Sequence, residues 1–347
     1  MRKLASIQRI KEVKDHPNAD RLDIISFESI EWTCVSAKGN FNAGDLCCFF
    51  EIDSLIPMKH EWARFLQNKD KPQSPARLKT IKLRGVVSQG LAMPISILPS
   101  VVDYPVAIED GTDVTELLDI TKYEPVIPAC LNGEVRGARP SYTIKTDEDR
   151  IQAFPELLNE FQGKLVYVSQ KIDGTSGTYS YLEDDYQVSG RNWSYKEAEG
   201  NTYWKISKKY DIQTKLKRIY EECGISYAVQ GEVAGPSIQK NLLKLTDHEL
   251  FVFNVMNLNK RRFLPFYEFK EFCERLELTT VPILKIYKFD AKSINELLEY
   301  ADSTNYESGH VNEGHVYRLV HEGISEVLNG RASFKVISNK FLLKTGH

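Results

Sequence analysis

The stretch Leu165-Val166-Tyr167-Val168-Ser169-Gln170-Lys171-Ile172-Asp173-Gly174 decides how this chain is read. Its apolar start has the composition of a strand. In a strand, side chains two apart share a face, so Lys171 and Asp173 point together into a cleft while Ile172 faces the core. Gly174 then allows either a close backbone approach or an unusual turn. Alone, the pattern is short: a surface lysine–aspartate pair before a turn would look the same.

Further pieces follow in order: Ser189-Gly190-Arg191-Asn192, then Gly231-Glu232-Val233-Ala234-Gly235-Pro236, then Phe251-Val252-Phe253-Asn254-Val255. Glu313-Gly314-His315-Val316 comes next, and Ser333-Phe334-Lys335-Val336-Ile337-Ser338-Asn339-Lys340 closes the set. In order and spacing this series resembles the collinear motifs of the covalent nucleotidyltransferases, the superfamily of ATP-dependent ligases and mRNA capping enzymes. Within it the chain is most similar to RNA ligases of the branch with an N-terminal OB-like module, the Deinococcus/Naegleria type.

The resemblance implies that Lys171 attacks the ATP α-phosphate, forming lysyl-AMP and releasing pyrophosphate. The adenylyl group then passes to an RNA 5′-phosphate, and a 3′-OH displaces AMP. By family analogy the substrate is a nicked duplex with RNA on the 3′-OH side. The first step meets an obstacle: a lysine of ordinary pKa near 10.4 is almost wholly protonated at neutral pH. Asp173 makes this worse, because a nearby anion favours the ammonium form. A divalent cation, Mg²⁺ or Mn²⁺, would offset both, with Asp173, Glu232 and Glu313 as its carboxylates, directly or through water.

The implied nucleotide contacts are Lys171, Gln170, Gly174, Arg191, Glu232, Phe251, Glu313 and Lys335. Catalysis falls to Lys171, Asp173, Glu313 and Lys335. Phe251 is the candidate to stack on adenine, with Leu250 as the alternative if the register slips by one. Glu232 matches a ribose contact, a member of the metal shell, or both, and Lys335 suits the α-phosphate as a point charge. Many ligases carry a second lysine two positions on. Here that position is Ile337, so Lys340 or Arg331 supplies the charge, or the metals carry more of it. The segment Thr146–Gln152 resembles one that precedes the nucleophile. In it Arg150 meets ATP or the RNA end, or else Thr146 caps a helix whose first turn holds the acids. His310 and His315 have no partners at zinc-site spacing, so His315 is structural or a phosphate-proximal donor.

Upstream, Ala5–Val13, Arg21–Phe27, Glu31–Ala37 and Leu46–Ile52 read as short strands separated by turns at 16–20, 38–42 and 53–57, the pattern of a small barrel. His16-Pro17-Asn18-Ala19-Asp20-Arg21-Leu22 resembles the opening of tRNA-binding OB modules, and is also simply a good turn. Residues 120–145, with Pro125, Pro128, Gly133, Gly137 and Pro140, read as a connector. Helices are expected at Asn201–Glu222, Phe266–Leu276 and Ser293–Tyr300, the last capped by Ser293. The fold class is therefore α+β: an OB-like β-barrel over 1–125, a linker over 126–144, and an adenylyltransferase domain of antiparallel sheets flanked by helices over 145–347.

The 347 residues include 45 Lys+Arg and 48 Asp+Glu, a net charge of −3, which argues against a uniformly cationic coat for nucleic acid. Charge is instead segregated. Residues 59–84, 204–218 and 331–347 are basic and form a candidate phosphate track, while 101–124 are acidic. No apolar run is long enough for a membrane span, and the N-terminus lacks a secretory h-region. Six scattered cysteines without a CxxC pair suggest buried thiols in a reducing, intracellular setting. A monomer acting on RNA or an RNA-containing duplex, away from membranes, is expected. The competing readings are a DNA ligase, a GTP-dependent capping enzyme, and a non-catalytic OB-fold binder. The first two usually place an OB module after the catalytic domain, where 12 residues beyond Lys335 leave no room.

Overall fold

The computed structural model describes residues 3–98, 107–124, 127, 129–145 and 147–346. Thr146, Pro125 and Pro128, named above as a helix cap and as connector residues, lie outside that set, as do 101–106 of the acidic run. The chain forms two compact units. One comprises Met1–Pro125, Asp149–Leu157 and Asn339–His347, the other Val126–Glu148 and Leu158–Ser338. No helix of the described residues is long and apolar enough to cross a membrane.

In the first unit, β1 (Ala5–Asp15), β2 (Leu22–Phe27), β3 (Thr33–Ala37), β4 (Leu46–Phe50) and β5 (Leu91–Pro94) form an antiparallel sheet in the order β3-β2-β1-β4-β5. A bulge between Ile10 and Glu12 bends β1, so its first half pairs with β4 and its second with β2. That shared, bent strand curls the sheet around a core containing Ile7, Cys48, Phe50 and Val114. One expected turn is different: after Asp53, at φ 70, residues Ser54–Ile56 extend into a strand paired with Thr121–Lys122. The His16–Asp20 turn is a brace. His16 Nε2 meets the Leu83 carbonyl at 3.1 Å and the Asn18 amide donates to the Arg84 carbonyl at 2.9 Å, fastening the Ile81–Ser88 hairpin.

The second unit is built on two antiparallel sheets. Seven strands form the first: β6 (Val135–Ala138), β8 (Thr175–Leu182), β9 (Asp185–Ser189), β10 (Trp193–Tyr195), β11 (Tyr227–Ala234), β12 (Glu249–Asn257) and β13 (Arg262–Phe263), in the order β6-β10-β9-β8-β11-β12-β13. The stretch read as a connector thus contributes an edge strand, β6, which pairs with β10. In the second sheet β16 (Ser333–Ile337), β15 (Gly314–Leu319), β7 (Leu165–Lys171) and β14 (Ile283–Lys288) are neighbours in that order. One face of the first sheet packs its apolar residues, among them Tyr179, Val188 and Leu250, with Leu216, Ile219 and Phe269 from helices. One face of the second sheet is covered by an aromatic cluster of Phe161, Phe289, Tyr317 and Phe334.

The helix expected over Asn201–Glu222 is two helices, α1 (Thr202–Lys209) and α2 (Ile212–Cys223), separated at Asp211, whose φ is 51. α3 spans Phe266–Arg275 and α4 Ile294–Ser303, and Ser293 caps α4 by accepting from the Glu296 N–H at 3.3 Å. Such a cap contributes about 1 kcal/mol. All six cysteines are free. Four are buried as expected, but Cys223 is exposed and Cys130 half-buried.

Candidate active site

The chain leaves the second sheet at Lys171, the last residue of β7, and enters the first at Thr175, the start of β8. Only Ile172, Asp173 and Gly174 make the crossing, so the lysine and aspartate lie at the seam of the two sheets. Ile172 turns into the core, 2% exposed, while Lys171 stays partly open. Gly174 makes a close approach: a Cβ there would stand 2.5 Å from the Val233 carbonyl oxygen and 2.9 Å from Glu232 Cγ. The strand carrying Glu232 therefore lies directly against the crossing.

Glu313 enters from just before β15. Gly314 sits opposite both Lys171 and Ile337, where a Cβ would lie 2.1 Å from the Val336 carbonyl oxygen. That bare strand start lets Glu313 Oε2 reach Lys171 Nζ at 2.7 Å. Directly opposed residues share a face, so the rows Lys171–Gly314–Ile337 and Ser169–Val316–Lys335 put Lys335 on the face of Lys171. In the first sheet Ser176, Glu232 and Phe251 stand opposite one another across β8, β11 and β12. Leu250 falls on the other face, fully in the core, which leaves Phe251 beside Glu232.

Burial is the largest influence on Asp173 and Glu232. It pushes them to about 7 and about 8 respectively, with Glu313 adding to the rise in both and Lys171 opposing it. Burial pulls the Lys171 ammonium down, but Glu313, Glu232 and Asp173 together outweigh it and hold the lysine above its ordinary value. Asp173 Oδ2 is buried and meets no hydrogen-bond donor among the described residues. Three hard oxygen donors around one lysine, two of them costly to ionise, fit a divalent cation of the Mg²⁺ or Mn²⁺ kind. Among the described residues no three acidic, imidazole or thiol groups are close enough to ligate an ion directly, so water would complete such a shell.

Other residues singled out from the sequence fall elsewhere. Arg191 pairs with Asp147 at 2.5 Å, and Asp147 in turn acts on Glu232. The Gln170 side chain lies on the face opposite Lys171 and donates to the Asn305 carbonyl at 3.1 Å, so only its main chain faces the lysine's surroundings. Arg150 belongs to the first unit, 3.6 Å from Asp53 and over the Trp32 ring; Asp149–Arg150 is a strand followed by a 3₁₀ turn, not a helix start. Ile337 is buried. Arg331 is held by Glu322 and Asn254 and stacks on Phe263, while Lys340 belongs to the first unit. A further cation acting on Asp173 is Lys240, whose charge opposes the rise less than that of Lys171 does. Its neighbour Gln239 donates to the Gly174 carbonyl at 3.3 Å. His315 is structural: fully buried, it meets Thr304 Oγ1 at 2.8 Å, and burial draws its pKa down to about 4. In 204–218, Lys208, Lys209, Lys215, Lys217 and Arg218 are all ion-paired, which makes that stretch a solvated face more than a phosphate track.

Two structural elements of the site carry no sequence pattern. Arg318, on the Lys171 face of β15, is buried against Glu148 at 2.8 Å and donates to the Phe253 carbonyl at 3.0 Å, tying the two sheets together. Tyr306 lies seven residues before Glu313 in a loop without periodicity, and its hydroxyl meets three main-chain groups of the site.

This two-sheet cleft with a lysine at its seam has known counterparts. The RNA ligase family model matches residues 164–337, and an OB-fold domain model matches residues 4–95. Among solved structures, a Naegleria gruberi RNA ligase variant with ATP and manganese is 31% identical, covers 100% of both chains and superposes with a TM-score of 0.87. A variant with AMP and manganese is 31% identical over 98% of each chain, TM-score 0.86. The same ligase with pyrophosphate is 32% identical over 99% of this chain and 98% of its own, TM-score 0.85. No match is found among curated proteins. The chain belongs to the RNA ligase family, with an OB fold preceding the ligase domain.

Proposed function

We propose that this protein is an ATP-dependent ligase that seals 3′-OH and 5′-phosphate ends of RNA, acting at nicks in duplexes with RNA on the 3′-OH side. The observation that carries the reading is Lys171 at the seam of two sheets, 2.7 Å from Glu313 and flanked by Asp173 and Glu232. Lys171 Nζ attacks the α-phosphorus of ATP: a P–N bond forms and the bond to pyrophosphate breaks. Glu313 Oε2 is the acceptor nearest the proton that Nζ must lose. The adenylyl group then passes to the RNA 5′-phosphate oxygen, freeing Lys171. Finally the 3′-oxygen attacks that 5′-phosphorus, and AMP leaves. A Mg²⁺ or Mn²⁺ held by Asp173, Glu232 and Glu313, in part through water, supplies the positive charge that offsets carboxylates and phosphates.

Phe251 offers its ring to adenine, Glu232 reaches the ribose, Arg191 stands near ribose and phosphates, and Lys335 faces the α-phosphate. Gln170 and Gly174 line the site through their main chains. Lys240, rather than Arg331 or Lys340, supplies the charge missing at Ile337, because Arg331 is already committed to Glu322. The OB unit, with the basic stretch 59–84, grips the RNA.

The test is incubation with α-labelled ATP or GTP and a divalent metal, followed by a denaturing gel. Label from ATP that disappears in Lys171→Ala is the expected result. Label from GTP alone would favour capping chemistry, and no label would sink the proposed mechanism. A panel of nicked RNA, DNA and hybrid duplexes then reads the strand preference; efficient sealing with DNA on the 3′-OH side would overturn the proposed polarity.

A further inference from the structure

A tyrosine hydroxyl can donate one hydrogen bond and accept two. Tyr306 uses all three on the reacting residues. It donates to the Lys171 carbonyl at 2.8 Å and accepts from the main-chain N–H of Asp173 and of Glu313, each at 3.0 Å. Those partners are 135, 133 and seven residues away in sequence. The phenol is 3% exposed, and its loop is pinned on both sides. The Tyr306 N–H donates to the His310 carbonyl at 2.8 Å, and Ser308 Oγ donates to the Leu242 carbonyl at 2.6 Å.

We propose that Tyr306 is a positioning residue for lysine adenylylation: one oxygen atom ties together the main chains that carry the nucleophile and two of the carboxylates around it. This rests on the ligase reading above. The ladder between β7 and β14 stops at Ser169, and Lys171 is paired on the β15 side alone, opposite Gly314, so the crossing at 172–174 and the start of β15 are where the ladders end. Tyr306 supplies the missing tether there. Its hydroxyl is fully consumed by the main chain, so it has no hydrogen bond left for a phosphate. Its contribution therefore belongs to the rate of the step and not to the hold on ATP. A misplacement of about 1 Å at reacting atoms costs about a hundredfold in rate.

The experiment is single-turnover adenylylation of the full chain at a series of ATP concentrations, with Tyr306→Phe compared against Tyr317→Phe. Tyr317 is also a buried tyrosine, but its hydroxyl has no partner among the described residues. For Tyr306→Phe the maximal rate should fall at least about 30-fold, equivalent to about 2 kcal/mol of barrier, while half-saturating ATP stays within about threefold. Tyr317→Phe should leave both unchanged. The proposal is overturned if Tyr306→Phe keeps its maximal rate within about threefold of wild type, or if the loss is carried by half-saturating ATP. It is equally overturned if the loss vanishes once the folded fraction, measured by circular dichroism at the assay temperature, is corrected for. A wild-type protein that takes no label would instead refute the ligase reading itself.

Discussion

At Gly174 the crossing between the sheets lies tightly against the strand that carries Glu232. The nearest atom to an added Cβ is a carbonyl oxygen of a central strand, which cannot move aside as a flexible side chain would. Gly174→Ala should therefore displace either the crossing or Glu232, with an overpacking cost of about 1–3 kcal/mol. We expect a lower melting temperature and at least about a tenfold loss of lysine labelling, since the groups that move are those of the site. Unchanged labelling would mean that the crossing has slack. The candidate residues Lys171, Asp173, Glu232, Glu313 and Lys335 could be picked from the sequence because they stand in the fixed order of a motif series, and the structure groups Lys171, Asp173, Glu232 and Glu313. Phe251 and Leu250 were separated only by register, Glu232 opposite Phe251, which depends on a bulge that no local pattern announces. Tyr306 was illegible because the role proposed for it rests on one hydroxyl meeting main-chain groups, two of them more than 130 residues away.

At the scale of elements, the break at Asp211 illustrates what periodicity can hide. The buried residues of α1 include Tyr203 and Ile206, and those of α2 are Ile212, Leu216 and Ile219. A continuous helix would carry the first stripe on through 210 and 213 or 214, out of phase with the second. A single left-handed residue resets the phase, and both stripes reach the core. The loop after β11 is a second such device. It places Ser237, Gln239, Asn241 and Lys244 at positive φ, anchors itself through buried Ile238 and Leu242, and holds Gln239 against Gly174. Backbone strain of this kind persists only where the surroundings enforce it. Lys240 rides on that loop, so Lys240→Ala should raise half-saturating ATP by about threefold to tenfold, an effect that shrinks with added salt because the side chain is exposed. A salt-independent loss of maximal rate would assign Lys240 a different role. Helix and strand types were readable from composition here; the loop's shape was not, because four residues without a glycine give no hint of left-handed backbone.

For the whole molecule, the compact units do not follow the order of the chain. Residues 149–157 and 339–347 group with the N-terminal unit, where the Glu31 N–H donates to the Gln152 carbonyl at 2.8 Å. A cut near residue 125 thus leaves behind Ile151, Phe341 and Leu342, all buried in the intact chain. Deleting 1–125 should spare lysine labelling more than nick sealing, and should raise light scattering through those newly exposed residues. Equal loss of both activities would make the barrel a folding partner and not an RNA grip. The barrel and the two-sheet domain were foreseeable from strand spacing and motif order. Their interleaving was not, because short segments reveal their allegiance only through contacts.

The placement of Lys171 at the seam has a mechanical corollary. Lys171 ends one strand and Glu313 immediately precedes its neighbour in the same sheet, while Glu232 and Phe251 ride on the other. Any movement of one sheet against the other would change the gap between the amine and the bed formed by Glu232 and Phe251, yet would leave the lysine–glutamate latch shut. The lysine–glutamate pair and the surface of Glu232 and Phe251 are thereby on separate carriages, coupled through the three-residue link that Gly174 and Tyr306 hold close.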